Sequence, residues 1–311
     1  MNLVLIGLGL VLLILGGNWL LKSAVGFSLR LKIPKIVIGM TVVSFATSAP
    51  ELIVSLKSAL EGHADIAFGN VIGSNIANLG LVLGITILIS TISVEKSFYK
   101  INWPIMMISS ILLYVFIAFD GILQRYEGII LFSFLIVFLV YLLRFQKQAV
   151  VDEMPEDDEE LPLYLIILFL IIGGVSLWGG SELLIDGAVG MAKHFNISER
   201  IIGITIVSIG TSIPELAASV IAVLQKEKAI SLGNLIGSNV FNILAVLGIT
   251  SIITPISIED QGLLSNDIFW MLGIAFLIFP LVFAPVKMKL SWKEGLILLT
   301  VYLVFIIRMF L

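Results

Sequence analysis

The sequence contains no cysteine, which excludes disulfides, thiolate metal sites and thiol nucleophiles from the outset. Histidine is nearly as scarce. His63 and His194 are the two present, and both fall in connections between apolar runs, so no imidazole cluster is available for zinc, copper or general-base work. Charged residues make up only 13% of the chain, too few to cover a water-facing surface, while 59% of residues are hydrophobic. No basic stripe of the kind that binds nucleic acid occurs, and no nucleic-acid partner is expected. The composition is that of an integral membrane protein whose surroundings are the lipid bilayer.

What the chain has in abundance is apolar runs of about 20 residues, the length an α-helix needs to cross roughly 30 Å of hydrocarbon. Ten can be counted, near 3–21, 33–60, 66–92, 101–119, 126–144, 161–185, 200–224, 230–253, 266–285 and 294–311. No positive residue precedes the first and its apolar stretch is too long for a signal peptide, so it reads as a retained helix. If the N-terminus is outside, 13 of the 18 Lys and Arg residues fall in inside loops, so charge asymmetry predicts a multi-pass protein of the cell membrane with both termini outside.

The run at 33–60 holds an element foreign to a spanning helix: Thr47-Ser48-Ala49-Pro50-Glu51. A shift of 164 residues superimposes it on Thr211-Ser212-Ile213-Pro214-Glu215, and the same shift, without a gap, makes 22 of 46 positions identical between 39–84 and 203–248. The chain is a duplication. Its expected organisation is a first five-helix repeat at 1–150, an acidic linker at 151–160 and a second five-helix repeat at 161–311, all within one membrane domain. Seven acids in nine residues, 152–160, read as a solvated connection. Five helices per repeat is an odd number, so the second copy enters the membrane from the opposite side. The fold class expected is all-α integral membrane, ten transmembrane helices in two inverted five-helix repeats, with the second, third, seventh and eighth helices discontinuous.

Thr41, Ser44, the pair Thr47-Ser48, Glu51 and Ser55 recur every three or four residues and so share one helical face. Pro50 has no N–H, which frees the carbonyl of Ala46 and loosens its neighbours, Thr47 among them. Non-helical backbone at membrane depth is tolerated only where it lines a cavity or is buried in protein. The third run supplies a second polar stripe, Asn70, Ser74 and Asn78, repeated as Asn234, Ser238 and Asn242, with Gly69 and Gly73 allowing close approach. Interhelical hydrogen bonding accounts for any single Ser or Asn here. It does not account for the glutamates. A carboxylate at a helix centre costs about 2.5–3.5 kcal/mol on insertion scales, and no basic residue lies at matching depth, so the natural partner is a cation that comes and goes.

The donors are all hard oxygens, which select sodium, calcium or magnesium over zinc, copper or iron. Two carboxylates balance one divalent ion. Two bidentate glutamates and two carbonyls supply six oxygens, within the roughly six to eight that calcium takes, whereas magnesium demands stricter octahedral geometry. Calcium fits best of the three, although spacing alone leaves the choice open.

At these residues the sequence resembles the cation/calcium exchanger superfamily, with its G-T-S-x-P-E and G-N-x-x-G-S-N segments, and within it the prokaryotic sodium/calcium exchangers. The resemblance implies that Glu51, Glu215 and the carbonyls of Thr47 and Thr211 hold calcium. It also implies that Ser48, Ser74 and the Ser44 carbonyl, with Ser212, Ser238 and the Ser208 carbonyl, complete sodium sites. Asn78 and Asn242 carry amides where several relatives have aspartates, and Ala46 replaces a glycine. The expected function is sodium/calcium antiport by alternating access, without a cofactor and as a monomer. A proton/calcium antiporter is the alternative on the same fold, and a cation channel a more distant one. An enzyme is not expected, because no nucleophile with a base appears at depth. The glycine pairs Gly16-Gly17 and Gly179-Gly180 suggest that the first and sixth helices slide.

Overall fold

The computed structural model describes residues 2–145, 161–194, 210–284 and 287–309. Ser208 and the acidic linker at 151–160 lie outside them, as does the first part of the seventh apolar run. The described chain is helical: α1 (Asn2–Leu31), α2 (Lys35–Thr47), α3 (Ala49–Leu60), α4 (Ala64–Ile89), α5 (Phe98–Ile117), α6 (Arg125–Phe145), α7 (Leu163–His194), α8 (Ile213–Leu224), α9 (Lys228–Ile253), α10 (Leu263–Phe283) and α11 (Trp292–Met309). Four two-residue strands complete it, β1 (Ile92–Ser93), β2 (Ile122–Leu123), β3 (Ile256–Ser257) and β4 (Lys289–Leu290).

Ten spans were expected; among the described residues seven helices are long and apolar enough to cross a membrane, or eight if the broken pair α2–α3 counts as one span. Of the remaining two runs, α8 is the 12-residue described part of the seventh. The other, α11, is 18 residues long but carries Lys293, Glu294 and Arg308 at its ends.

Two of the expected discontinuities are absent. α4 and α9 run through as helices of 26 residues each, and what interrupts their regular winding is one wider π segment apiece, Asn78–Val82 and Asn242–Leu247. A π turn keeps the backbone hydrogen-bonded while adding a residue, so the polar stripe can be re-aimed without opening the helix.

The chain forms two compact units, and neither follows the repeat boundary. One comprises residues 1–47 and 142–234. In it α1 packs along α7 with the chains antiparallel, through glycines spaced by seven. A methyl group at Gly9 would come 2.7 Å from the carbonyl oxygen of Gly180, one at Gly16 3.0 Å from that of Gly173, and one at Gly187 2.9 Å from that of Asn2. Backbones this close leave no room for a side chain, the contact that small residues permit in membranes. Gly16 and Gly180, expected to leave sliding surfaces, are where α1 and α7 interlock with each other. Gly17 faces Ile221 of α8 instead. Lys35 at the start of α2 pairs with Glu227 at 2.8 Å.

The other unit comprises residues 48–141 and 235–311. β1 pairs antiparallel with β4, Ile92 opposite Leu290, and β2 with β3, Leu123 opposite Ile256. Each ribbon therefore joins the first half of the sequence to the second. The helices do the same: Gly84 of α4 lies against Gly295 of α11, and Gly248 of α9 against Gly128 of α6. Glu127 and Glu294 cap α6 and α11 in matching fashion, accepting from the backbone N–H of Gln124 at 2.8 Å and of Ser291 at 2.6 Å.

Candidate functional site

The Pro-Glu segments do locally what their sequence dictates. A helix ends before Ser48 and another starts at Ala49, with Pro50 in the first turn, where its missing N–H costs nothing. Ser48 between them has φ −88° and ψ 3°, outside helical geometry. The second copy is nearly superimposable in these terms: Ser212 has φ −90° and ψ 4°, and α8 opens with Pro214. Glu51 and Glu215 thus sit in the first turn of α3 and of α8, where unbonded N–H groups and the helix dipole favour a carboxylate. Both are 0% exposed.

The donors expected to surround them divide between the two units. In the unit of residues 1–47 and 142–234, the Ser44 hydroxyl sits 2.8 Å from the Gly39 carbonyl oxygen and 2.9 Å from that of Asn234. Thr47 Oγ1 donates to Asn234 Oδ1 at 3.2 Å, and Asn234 Nδ2 donates to Ser219 Oγ at 3.1 Å. Asn234 thereby links α2 to α8. Ser212 is buried with its hydroxyl making no hydrogen bond among the described residues, and Thr211 is half-buried beside it. The carbonyl of Gly210, which Pro214 deprives of its helical donor, accepts instead from Ser181 Oγ of α7 at 2.9 Å.

In the unit of residues 48–141 and 235–311, Ser55 on α3 accepts from Asn70 Nδ2 at 3.0 Å, the counterpart of the Ser219–Asn234 bond. Ser48, Ser74, Ser238, Asn78 and Asn242 are all buried, with at most 4% exposure. Asn78 and Asn242 open the two π segments, and the second of these packs against α3, the helix that bears Glu51. Neither amide atom of Asn78 has a hydrogen-bond partner among the described residues. Asn242 Nδ2 donates to Asn75 Oδ1 at 3.1 Å.

Two of these residues escape a reading by stripes. Asn75 lies one position off the Asn70–Ser74–Asn78 face, and its only sequence signal is that an amide recurs at Asn239. Ser181 has no counterpart hydroxyl at the equivalent place on α1: with Gly16-Gly17 set against Gly179-Gly180 it falls on Asn18. Among the described residues no three His, Cys, Asp or Glu side chains gather as a metal cluster. Each unit instead carries one buried glutamate together with hydroxyl and amide oxygens, all of them hard donors.

A helical membrane protein with buried oxygen donors in two copies belongs among ion transporters. Residues 1–144 and 165–311 match the profile of the sodium/calcium exchanger protein family. CaxA of Alkalimonas amylolytica is 39% identical over 303 residues, 95% of this chain and 94% of that protein. The sodium/calcium exchanger MaX1 of Methanosarcina acetivorans is 28% identical over 351 residues, covering 99% of this chain and 98% of its own. The solved structure of the sodium/calcium exchanger from Methanococcus jannaschii matches with a TM-score of 0.84 at 30% identity, over 98% of this chain and 97% of that one. The chain belongs to the sodium/calcium exchanger family and is a multi-pass membrane protein of that family.

Proposed function

We propose that the protein exchanges sodium for calcium by alternating access, with Glu51 and Glu215 as the charged ligands of calcium. The observation that carries this reading is a pair of fully buried carboxylates at equivalent positions, each in the first turn of a helix that opens with proline directly after a serine outside helical geometry. The carbonyls of Thr47 and Thr211 complete the calcium shell in this proposal. Ser48, Ser74, Ser212, Ser238 and the carbonyls of Ser44 and Ser208 serve sodium, and Asn78 and Asn242 supply neutral oxygens. Ten spans in two inverted repeats, 1–150 and 161–311, joined by the linker at 151–160, form one membrane domain. It works as a monomer, in the cell membrane, with both termini outside.

The interlocked glycines support α1 and α7 moving together, as one body, if they are the mobile elements. With two negative charges in the chamber, calcium leaves it neutral and three sodium ions, the number implied by the resemblance, leave it at plus one. Exchange is then electrogenic, each net charge that crosses being worth about 2.3 kcal/mol per 100 mV.

The test is calcium uptake into proteoliposomes under an outward sodium gradient, an outward proton gradient, and each with a potassium-valinomycin clamp. Sodium-driven, voltage-sensitive uptake is expected. Uptake driven only by protons would replace sodium coupling with proton coupling, and voltage-independent uptake would remove the two-carboxylate charge count.

A further inference from the structure

The amide of Asn75 does not point along the polar stripe. Its Nδ2 donates to the backbone carbonyl of Asn239 at 3.3 Å and approaches Met271 Sδ at 3.7 Å. A backbone carbonyl can only accept, so it settles which end of the Asn75 amide faces it. Oδ1 of Asn75 must then face the other way, where Asn242 Nδ2 donates to it at 3.1 Å. The same logic passes one residue further. Asn242 has its NH2 committed to Asn75, so its own Oδ1 is turned away. That oxygen is buried in a 0% exposed residue and has no donor among the described residues.

We infer that Asn75 is a positioning residue for cation binding: anchored on the Asn239 carbonyl, it holds the Asn242 amide with its carbonyl oxygen, and not its NH2, presented to the ion. The inference deepens the exchange reading above and rests on it. A carbonyl oxygen is a hard ligand for sodium or calcium, whereas an NH2 group at the same place repels either. Without Asn75, the amide can still turn its oxygen to an arriving cation, but only by burying an NH2 with no acceptor, and that penalty falls on binding. The arrangement is one-sided. Asn239, the repeat counterpart of Asn75, donates to Leu235 O of its own helix at 2.8 Å and does not hold Asn78.

A substitution that presents oxygen on both sides separates positioning from packing. A carboxylate at position 242 offers an oxygen to the ion in either orientation and leaves Asn75 Oδ1 facing an acceptor, so dependence on Asn75 disappears. The experiment is titration calorimetry of the purified full-length protein with calcium. Asn75→Ala and the volume-preserving Asn75→Leu are each made in the native and in the Asn242→Asp background, with calcium-free thermal melts as the folding control.

In the native background either substitution is expected to weaken calcium binding about tenfold, the scale of one buried hydrogen bond. In the Asn242→Asp background the same substitutions are expected to leave affinity unchanged or raised. Equal weakening in both backgrounds, or none in the native one, overturns the inference while leaving the exchange reading intact. Failure of the unaltered protein to bind calcium overturns the exchange reading itself.

Discussion

Asn75 and Asn239 occupy the same place in two copies of one sequence segment, and they hydrogen-bond to different things: Asn75 across to a neighbouring helix, Asn239 back onto its own. The Pro-Glu segments differ in the same way. Ser48 and Ser212 agree within a few degrees in φ and ψ, yet the carbonyl freed by Pro214 is taken up by Ser181, for which the first copy has no equivalent hydroxyl. Duplication therefore reproduced the backbone device closely and left the side chains around it free to specialise. An ion site built from such copies is symmetric in its charges and asymmetric in its supports.

The comparison is broken most severely at the charges. Glu51→Gln and Glu215→Gln are each expected to abolish sodium-driven calcium uptake in proteoliposomes while the protein still folds, because loss of a buried charge removes desolvation cost along with the ligand. Retention of uptake by one of the two would show that the copies are unequal even in charge.

A smaller difference is expected where helices cross. A methyl group at Gly128 would meet Ser251 Oγ and come 2.7 Å from the Gly248 carbonyl, which is backbone and cannot yield. At Gly84, the repeat counterpart of Gly248 at the other crossing, it would meet the Leu299 side chain at 2.8 Å, which can. Gly128→Ala should destabilise by about 1–3 kcal/mol, as overpacking does, and Gly84→Ala by less, read as melting temperatures in detergent. Equal melting temperatures would mean that the two crossings respond alike.

The smallest effect separates the two asparagine hubs. Asn70→Ala breaks one side-chain bond, to Ser55, whereas Asn234→Ala breaks two, to Ser219 and Thr47, in a residue 1% exposed. The second variant should be less stable than the first by about 1 kcal/mol, measured by the same melts. A reversed order would make Ser55 the more important partner.

The helix breaks were legible because their cause is local: Pro50 and Pro214 lack a donor, and Ser48 and Ser212 leave helical geometry where the proline requires it. The polar stripes were legible too, since spacing of four is a property of the helix alone. The π segments at Asn78 and Asn242 were not, because an added residue per turn leaves no gap in an apolar run. The strands were too short to show alternation, and their pairing joins residues far apart in the chain. Nor was Asn75 legible, since its role depends on a carbonyl of α9 that periodicity within α4 does not reveal. The glycines at 9, 16, 173, 180 and 187 were visible as small residues. That they meet one another follows only once α1 and α7 lie antiparallel.

The exchanged ribbons have a consequence for biogenesis. Ile92 finds its partner at Leu290, and Ser257 pairs with Ile122. At roughly 5–20 residues per second of synthesis, the partner of Ile92 emerges roughly 10–40 s after it. Until then the early helices wait in the bilayer with small-residue faces unmatched and strand edges unpaired. The ribosome thus completes most of the polypeptide before either unit can close.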